Sequence, residues 1–298
     1  MRRSLIAFAF ALVAAPAAAQ PGLADVQIRV ERVAPGVAVL FGRGGNVGLS
    51  YGEDGNVLID DQFAPLTDRI LAAVRSVDPD PVRFVINTHW HGDHTGGNEN
   101  IARQGAAIVA HDNVRRRMSM EQIVRGNAVS ASPRGALPVV TFDEGLTFHL
   151  NGDEIRVTHV GHAHTDGDAL VYWTRANVLH MGDTYFRSFL PFIDLDSGGS
   201  VDGLLRAVDA SLAIANENTV IIPGHGELAR RGDLVAYREL IARLAGRVRA
   251  EIRAGRSLEQ IKALRLADPH GRATDFVTPD FFIETLYRDA TMVRGERG

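Results

Sequence analysis

Between residues 88 and 97 the chain reads Thr88-His89-Trp90-His91-Gly92-Asp93-His94-Thr95-Gly96-Gly97, straight after the apolar run Arg83-Phe84-Val85-Ile86-Asn87. Three imidazoles and a carboxylate inside six residues constrain the fold more than any other stretch. Imidazole nitrogen and carboxylate oxygen are ligand types for zinc and similar divalent ions. A histidine kept for packing alone needs one or two hydrogen bonds and no neighbours of its own kind. The fold must therefore deliver a strand into a loop where H-x-H-x-D-H offers four donors to one or two cations. Glycine within and after the cluster lets the backbone turn sharply there.

The same pattern recurs at three other places. His159-Val160-Gly161-His162-Ala163-His164-Thr165-Asp166-Gly167-Asp168 follows a strand-like run over 154–160. His180-Met181-Gly182-Asp183 closes another, and Pro223-Gly224-His225-Gly226 follows Ile221-Ile222. Four strand-to-loop junctions with ligand-type residues beside glycine imply a metal site on the rim of the sheets, where loops carry function. His162 and His164 share a side of any extended segment, and His162 is expected to support the site or lie at the surface. His180 either orients a ligand or simply fills a strand. His111, His149, His159 and His270 are expected to be structural. Asp60 and Asp61 are either turn formers or acceptors for the second N–H of a ligating imidazole, and Asp166 and Asp168 present the same choice.

The chain has 298 residues, 45% of them hydrophobic, enough for a sizeable core in one large domain. Its net charge of -4 gives no reason to expect nucleic acid or an anionic membrane as partner. A small-molecule substrate is expected, and oligomeric state is not legible. There is no cysteine, so disulfides, thiolate ligands and thiolate nucleophiles are excluded. Residues 1–19 read as a signal peptide. Arg2 and Arg3 start it, an apolar run over 5–15 is short for a bilayer span, and Ala17-Ala18-Ala19 offers a cleavage site before Gln20. The mature chain, 20–298, is expected in the periplasm or outside the cell, with no membrane segment after cleavage.

From 26 to 61 short alternating runs are split by Pro35-Gly36, Gly44-Gly45-Asn46 and Glu53-Asp54-Gly55-Asn56, a set of strands and turns. Pro65 opens a helix to about 77, with Ile70, Leu71 and Val74 on one face. Further helices are expected over 98–103, 113–124, 201–215 and 234–254, and strands over 106–110, 139–142, 147–150, 154–160, 169–173, 177–181 and 219–222. Strand blocks with helices between and around them suggest two sheets covered by helices in a single domain with a helical C-terminal segment.

In order, H-x-H-x-D-H, A-H-T, G-D and P-G-H-G resemble the metallo-β-lactamase superfamily over Asn87 to Gly226. The resemblance implies an α/β fold, an αββα sandwich of two mixed sheets flanked by helices, with two Zn2+ per chain at one edge. It assigns His89, His91 and His164 to one zinc, Asp93, His94 and His225 to the other, and Asp183 to both or mainly the second. Asp93 is the implied catalytic residue, orienting the nucleophile. Asp183 stands where the thiolate-type penicillin-degrading branch has cysteine, and so resembles the glyoxalase II type of site. That branch also carries a drug-binding lysine where this chain has Phe186. Phe186, Arg187 and Phe189 sit on an aromatic loop after Asp183 and are expected at the substrate, Arg187 pairing with a carboxylate. The implied activity is attack of a metal-bound hydroxide on a carbonyl, best matched to a β-lactam-like cyclic amide or ester. The alternatives are a thioester or other ester hydrolase, and a periplasmic metal-binding accessory protein without turnover.

Overall fold

The computed structural model describes residues 22–23 and 25–292; the expected leader over 1–19 lies outside them. The chain opens with four antiparallel strands, β1 (Arg29–Ala34), β2 (Val37–Phe41), β3 (Val47–Ser50) and β4 (Asn56–Ile59). Helix α1 (Thr67–Val77) then crosses to β5 (Val82–Ile86), which lies parallel to β4. Its buried stripe is Ile70, Leu71 and Val74, at the spacing that one helix face requires. Two short helices, α2 (Gly92–Thr95) and α3 (Asn98–Ala102), lead to β6 (Ala107–His111) and then α4 (Asp112–Met118).

Here the structure departs from the helix expected over 113–124. The helix ends at Met118, and a hairpin follows, β7 (Gln122–Val124) with β8 (Asn127–Val129). Arg125 and Gly126 both take positive φ, 52° and 77°, the conformation of a two-residue hairpin turn. Apolar spacing favoured the helix; the local turn chemistry and the β-branched Ile123 and Val124 decide the outcome.

Strand β9 (Val140–Phe142) completes the first sheet, whose order is β1-β2-β3-β4-β5-β6-β9. The second sheet is β10 (Gly145–Leu150), β11 (Asp153–His159), β12 (Ala169–Trp173), β13 (Val178–His180) and β14 (Val220–Ile222), in that order. Its first three pairings are antiparallel, while β13 and β14 are parallel with α5 (Val201–Ile214) as their crossover. Long helix α6 (Arg231–Arg253), short α7 (Leu258–Lys262) and α8 (Pro279–Met292) follow.

Three apolar cores stack these elements into an αββα sandwich. Leu40, Leu49, Leu58 and Val85 meet Ile70 and Val74 on the outer face of the first sheet. Val39, Val57 and Ile86 meet Val157, Val171 and Trp173 between the sheets. Leu179 and Ile221 meet Leu204, Ile241, Val248 and Phe282 on the outer face of the second. Burying each such side chain contributes roughly 1.5–3 kcal/mol. The parallel strands β4, β5, β13 and β14 run their carboxyl ends to one edge, where α/β sheets place ligands. Asp60, His89, Asp183 and His225 follow those ends directly or within three residues. Among the described residues no helix is long and apolar enough to cross a membrane.

Candidate metal centre

Local structure sets where each donor points. Asp60 leaves β4 in the left-handed region, φ 64°, an uncommon conformation for a side chain with a Cβ. The turn brings its carboxylate under the histidine loop. Its Oδ1 accepts from the Thr88 amide at 2.7 Å, and its Oδ2 accepts from Thr88 Oγ1 and from His94 Nδ1, each at 2.7 Å. Asn87 and Asn98 exchange a reciprocal pair of side-chain hydrogen bonds beneath the same loop. The α2 turn, with His91 at its N-cap, then carries Asp93 and His94.

These bonds decide which ring nitrogen is free. Thr88 Oγ1 donates to Asp60, so it accepts from His89 Nδ1 at 3.1 Å, and His89 Nε2 is left bare. That Nε2 is buried without a hydrogen-bond partner. His91 Nε2 donates to Asp194 Oδ2 at 2.9 Å, leaving Nδ1 bare. His164 Nδ1 donates to the Phe192 carbonyl at 2.7 Å, leaving Nε2 bare. His91 Nδ1 and His164 Nε2 then face one another at 2.9 Å. Two lone pairs at that distance repel unless a cation lies between or beside them. His94, tied through Nδ1 to Asp60, likewise presents a bare Nε2, 3.4 Å from His225 Nε2.

Asp183 joins the two sets of donors. Its Oδ1 is 3.1 Å from His94 Nε2 and 3.4 Å from His225 Nε2; its Oδ2 is 3.6 Å from His164 Nε2 and 3.9 Å from His89 Nε2. Asp93 Oδ2 lies 3.4 Å from His225 Nε2 and 3.7 Å from His94 Nε2. The donors fall into two metal-sized groups, His89, His91, His164 and Asp183, and Asp93, His94 and His225. Nitrogen and oxygen donors suit zinc and similar divalent ions, and imidazoles fixed by a second hydrogen bond are the usual metal-ligating form. At Gly224 any Cβ would collide with Asp183 Oδ1, so the backbone must be bare for that carboxylate to seat.

The electrostatics differ across the centre, favouring charge on His94 and His225 and opposing it on His89 and His164. Burial opposes charge on His225, yet Asp183 and Asp93 outweigh it and lift its pKa to about 9. Burial also pushes Asp93 up, but His94 and His225 prevail and hold it down at about 2, so Asp93 stays a carboxylate. His164, buried beside His91, is held down at about 4 despite the Asp183 charge. Neutral imidazole is the ligating form.

Other expected residues fall in varied places. His180 touches no donor; its Nε2 donates to the Asn46 carbonyl at 3.0 Å and its Nδ1 accepts the Gly182 amide at 3.2 Å, bracing the turn that carries Asp183. His162 is exposed and bonds the Gly198 carbonyl. Asp168 accepts from the His164 and Thr165 amides and from Thr165 Oγ1, and Asp166 pairs with Arg117 at 2.6 Å. Of the aromatic loop, Phe186 and Phe189 border the cavity in front of the donors, and Phe186 stacks on His225 at 5.2 Å. Arg187 is placed elsewhere: its guanidinium donates to the Leu228 carbonyl and pairs with Asp233, lining a neighbouring polar cavity. The expected carboxylate partner is thus turned from the metal donors. Gly48-Leu49-Ser50-Tyr51-Gly52 has the spelling of a serine-hydrolase elbow, but Ser50 ends a regular strand and bonds Asn151.

Two contributors escaped the sequence. Asp194, 103 residues from His91, orients it. Asn46 clamps the His225 turn through the Pro223 and Gly226 carbonyls, at 2.9 and 2.8 Å. No local spacing marks either one, and only the packing of the two sheets brings them in.

A sequence profile described as the metallo-beta-lactamase superfamily matches residues 40–225. The hydroxyacylglutathione hydrolase of a Polaromonas species is 28% identical over 221 residues, 71% of this chain and 75% of that protein. The 2,4-dinitroanisole O-demethylase subunit alpha of a Nocardioides species is 30% identical over 139 residues, 45% of this chain and 39% of that subunit's length. Among solved structures, a metallo-beta-lactamase from Pontibacter korlensis superposes with a TM-score of 0.59 at 21% identity, over 72% of this chain and 99% of that one. The sec-alkylsulfatase Pisa1 from a Pseudomonas species gives 0.64 at 18% identity, over 88% of this chain and 50% of that one. These two show likeness of fold. The profile match spans well over half of the chain and encloses every donor from His89 to His225: the chain belongs to the metallo-beta-lactamase superfamily of hydrolases.

Proposed function

We propose that this protein is an exported two-zinc hydrolase that cleaves the acyl bond of a carbonyl substrate, a cyclic amide or ester. The observation that carries the reading is the pair of donor groups sharing Asp183, with bare imidazole nitrogens of His91 and His164 facing each other at 2.9 Å. When bound there, zinc ions lower the pKa of a water from 15.7 to about 7 and polarise a carbonyl oxygen. The residues of the chain do the rest. Asp183 holds the two donor groups in register. Asp93, ionised and partly open to the cavity, accepts a hydrogen bond from the attacking water and so aims its oxygen. Phe186 and Phe192 crowd bulk water away from His225 and His91. In the overall step the water oxygen bonds to the carbonyl carbon, the carbon–heteroatom bond breaks, and the departing atom takes a proton. The N-terminal sequence supports a periplasmic or secreted location.

A thioester substrate is the second reading, favoured by the hydroxyacylglutathione hydrolase match and by aspartate at position 183. Metal analysis with a panel of penicillins, cephalosporins, carbapenems, lactones and thioesters tests both. Turnover that disappears on chelation and returns with zinc is expected for at least one class. Fully zinc-loaded protein that leaves every class intact would contradict the hydrolase. Asp93→Ala separates an enzyme from a metal-binding accessory protein without turnover: the enzyme loses most turnover, whereas the accessory protein loses only metal.

A further inference from the structure

The cavity in front of the donors holds about 600 Å³. Phe63, Trp90, Val124, Phe186, Leu190 and Phe192 make up much of its wall. Its polar lining is confined to His91, Asp93, Asp183, His225 and Asp275. Among the described residues no lysine or arginine lines it. Three cations on flanking segments already have partners. Arg187 is held by Leu228 and Asp233, and Arg272 reaches Asp275 at 3.3 Å. Arg125 lies over the rings of Phe276 and Phe281, at 4.6 and 4.1 Å, and donates to the Phe276 carbonyl. The apolar surface also continues out of the mouth. Val129, Phe189 and Phe276 line the cavity yet are 38%, 44% and 66% exposed. Large exposed apolar groups beside a deep pocket mark a binding surface.

We propose that this cavity selects an uncharged ester or lactone bearing a bulky hydrophobic group, and discriminates against substrates whose bulky group carries a carboxylate. The selection rests on the hydrolase reading above. A ring or chain enters between Trp90, Phe192 and Phe276 while its carbonyl reaches the donors, and the β7–β8 hairpin supplies Val124 and Val129 as the outer wall. A carboxylate lodged against the apolar wall would lose its water and gain no lysine or arginine partner there. Hydrolysis is balanced by water alone: a C–O bond forms to the water oxygen, the ester C–O bond breaks, and the alcohol leaves with a proton.

Two measurements on the zinc-loaded full chain test this. In the first, 2-naphthyl acetate is compared with its 6-carboxylate derivative. In the second, calorimetry compares 2-acetonaphthone with 6-acetyl-2-naphthoate, neither of which can be hydrolysed. The neutral compound is expected to give at least tenfold higher kcat/KM and at least tenfold tighter binding. Val129→Lys, at the exposed rim, is expected to narrow both ratios by tenfold or more without loss of metal. Equal handling of the two charge states, or preference for the carboxylate, overturns the selectivity while leaving the hydrolase intact. Tighter neutral binding with no turnover of either ester would instead overturn the hydrolase reading and uphold the cavity's.

Discussion

The two halves of the centre are built differently. His89, His91 and His164 are almost wholly buried, and each has its second nitrogen fixed by Thr88, Asp194 or the Phe192 carbonyl. In the other half, His94 is buried and fixed by Asp60, but the side chains of Asp93 and His225 are 27% and 26% exposed and border the cavity. The first half is the more closed, with His91 alone of its three histidines lining the cavity, and the second is the more open. Asp183, 6% exposed, belongs to both. The difference predicts that binding and turnover separate across this site, the closed half governing retention of an ion and the open half the chemistry.

The largest effect is expected where the halves meet. Asp183→Ala should lower kcat/KM by more than the ~10–100-fold that removal of a hydrogen-bond partner behind a ligand costs, and should strip metal from both halves. Retention of both metals would break the bridging assignment.

Next come the supporting carboxylates. Asp60 braces His94 directly and His89 through Thr88, whereas Asp194 braces only His91. Asp194→Asn should weaken metal binding by ~10–100-fold in the closed half alone, and Asp60→Asn in both. Titration against a competing chelator reads the two affinities separately. Identical profiles for the two variants would erase the distinction.

A smaller, pH-linked effect is expected behind the site. His111 and His159 stack at 3.7 Å, and burial lowers the pKa of both, with His159 adding to the effect on His111 and His162 to that on His159. The unfolded rings titrate near 6.5. A folded pKa below the unfolded one means that stability is full above about 6.5 and falls as pH drops through the depressed folded values. Denaturation midpoints at pH 7.5 and 5 should differ less in His159→Gln than in the parent chain; equal differences would dismiss the pair as a source of acid sensitivity. The smallest effect is expected for His162→Ala, within about 0.5 kcal/mol of the parent and with unchanged metal content, because this ring is exposed and off the centre.

Much of the site was legible because its signals are local. His89, His91, Asp93 and His94 are spaced by one short loop, Asp183 and His225 each sit beside a glycine after a strand, and His164 lies three residues from Gly161 and Gly167. Strand alternation and the apolar faces of α1, α5 and α6 gave the layers. What stayed hidden depends on sequence-distant contact. Asp194 and Asn46 reach the donors only after the two sheets have packed, and Arg187 turns away because Asp233 and Leu228 lie behind it. The β7–β8 hairpin was hidden for a different reason. Its residues carry helical apolar spacing, and the turn at Arg125-Gly126 overrides it.

Metal stoichiometry tests the central claim most directly. Chain stripped by chelation, dialysed against zinc and weighed by native mass spectrometry should carry about two ions, and His225→Ala, confirmed folded by circular dichroism, should carry about one and lose turnover. One ion in the parent chain, or two retained with full turnover in His225→Ala, would contradict a centre divided into a holding half and a reacting half.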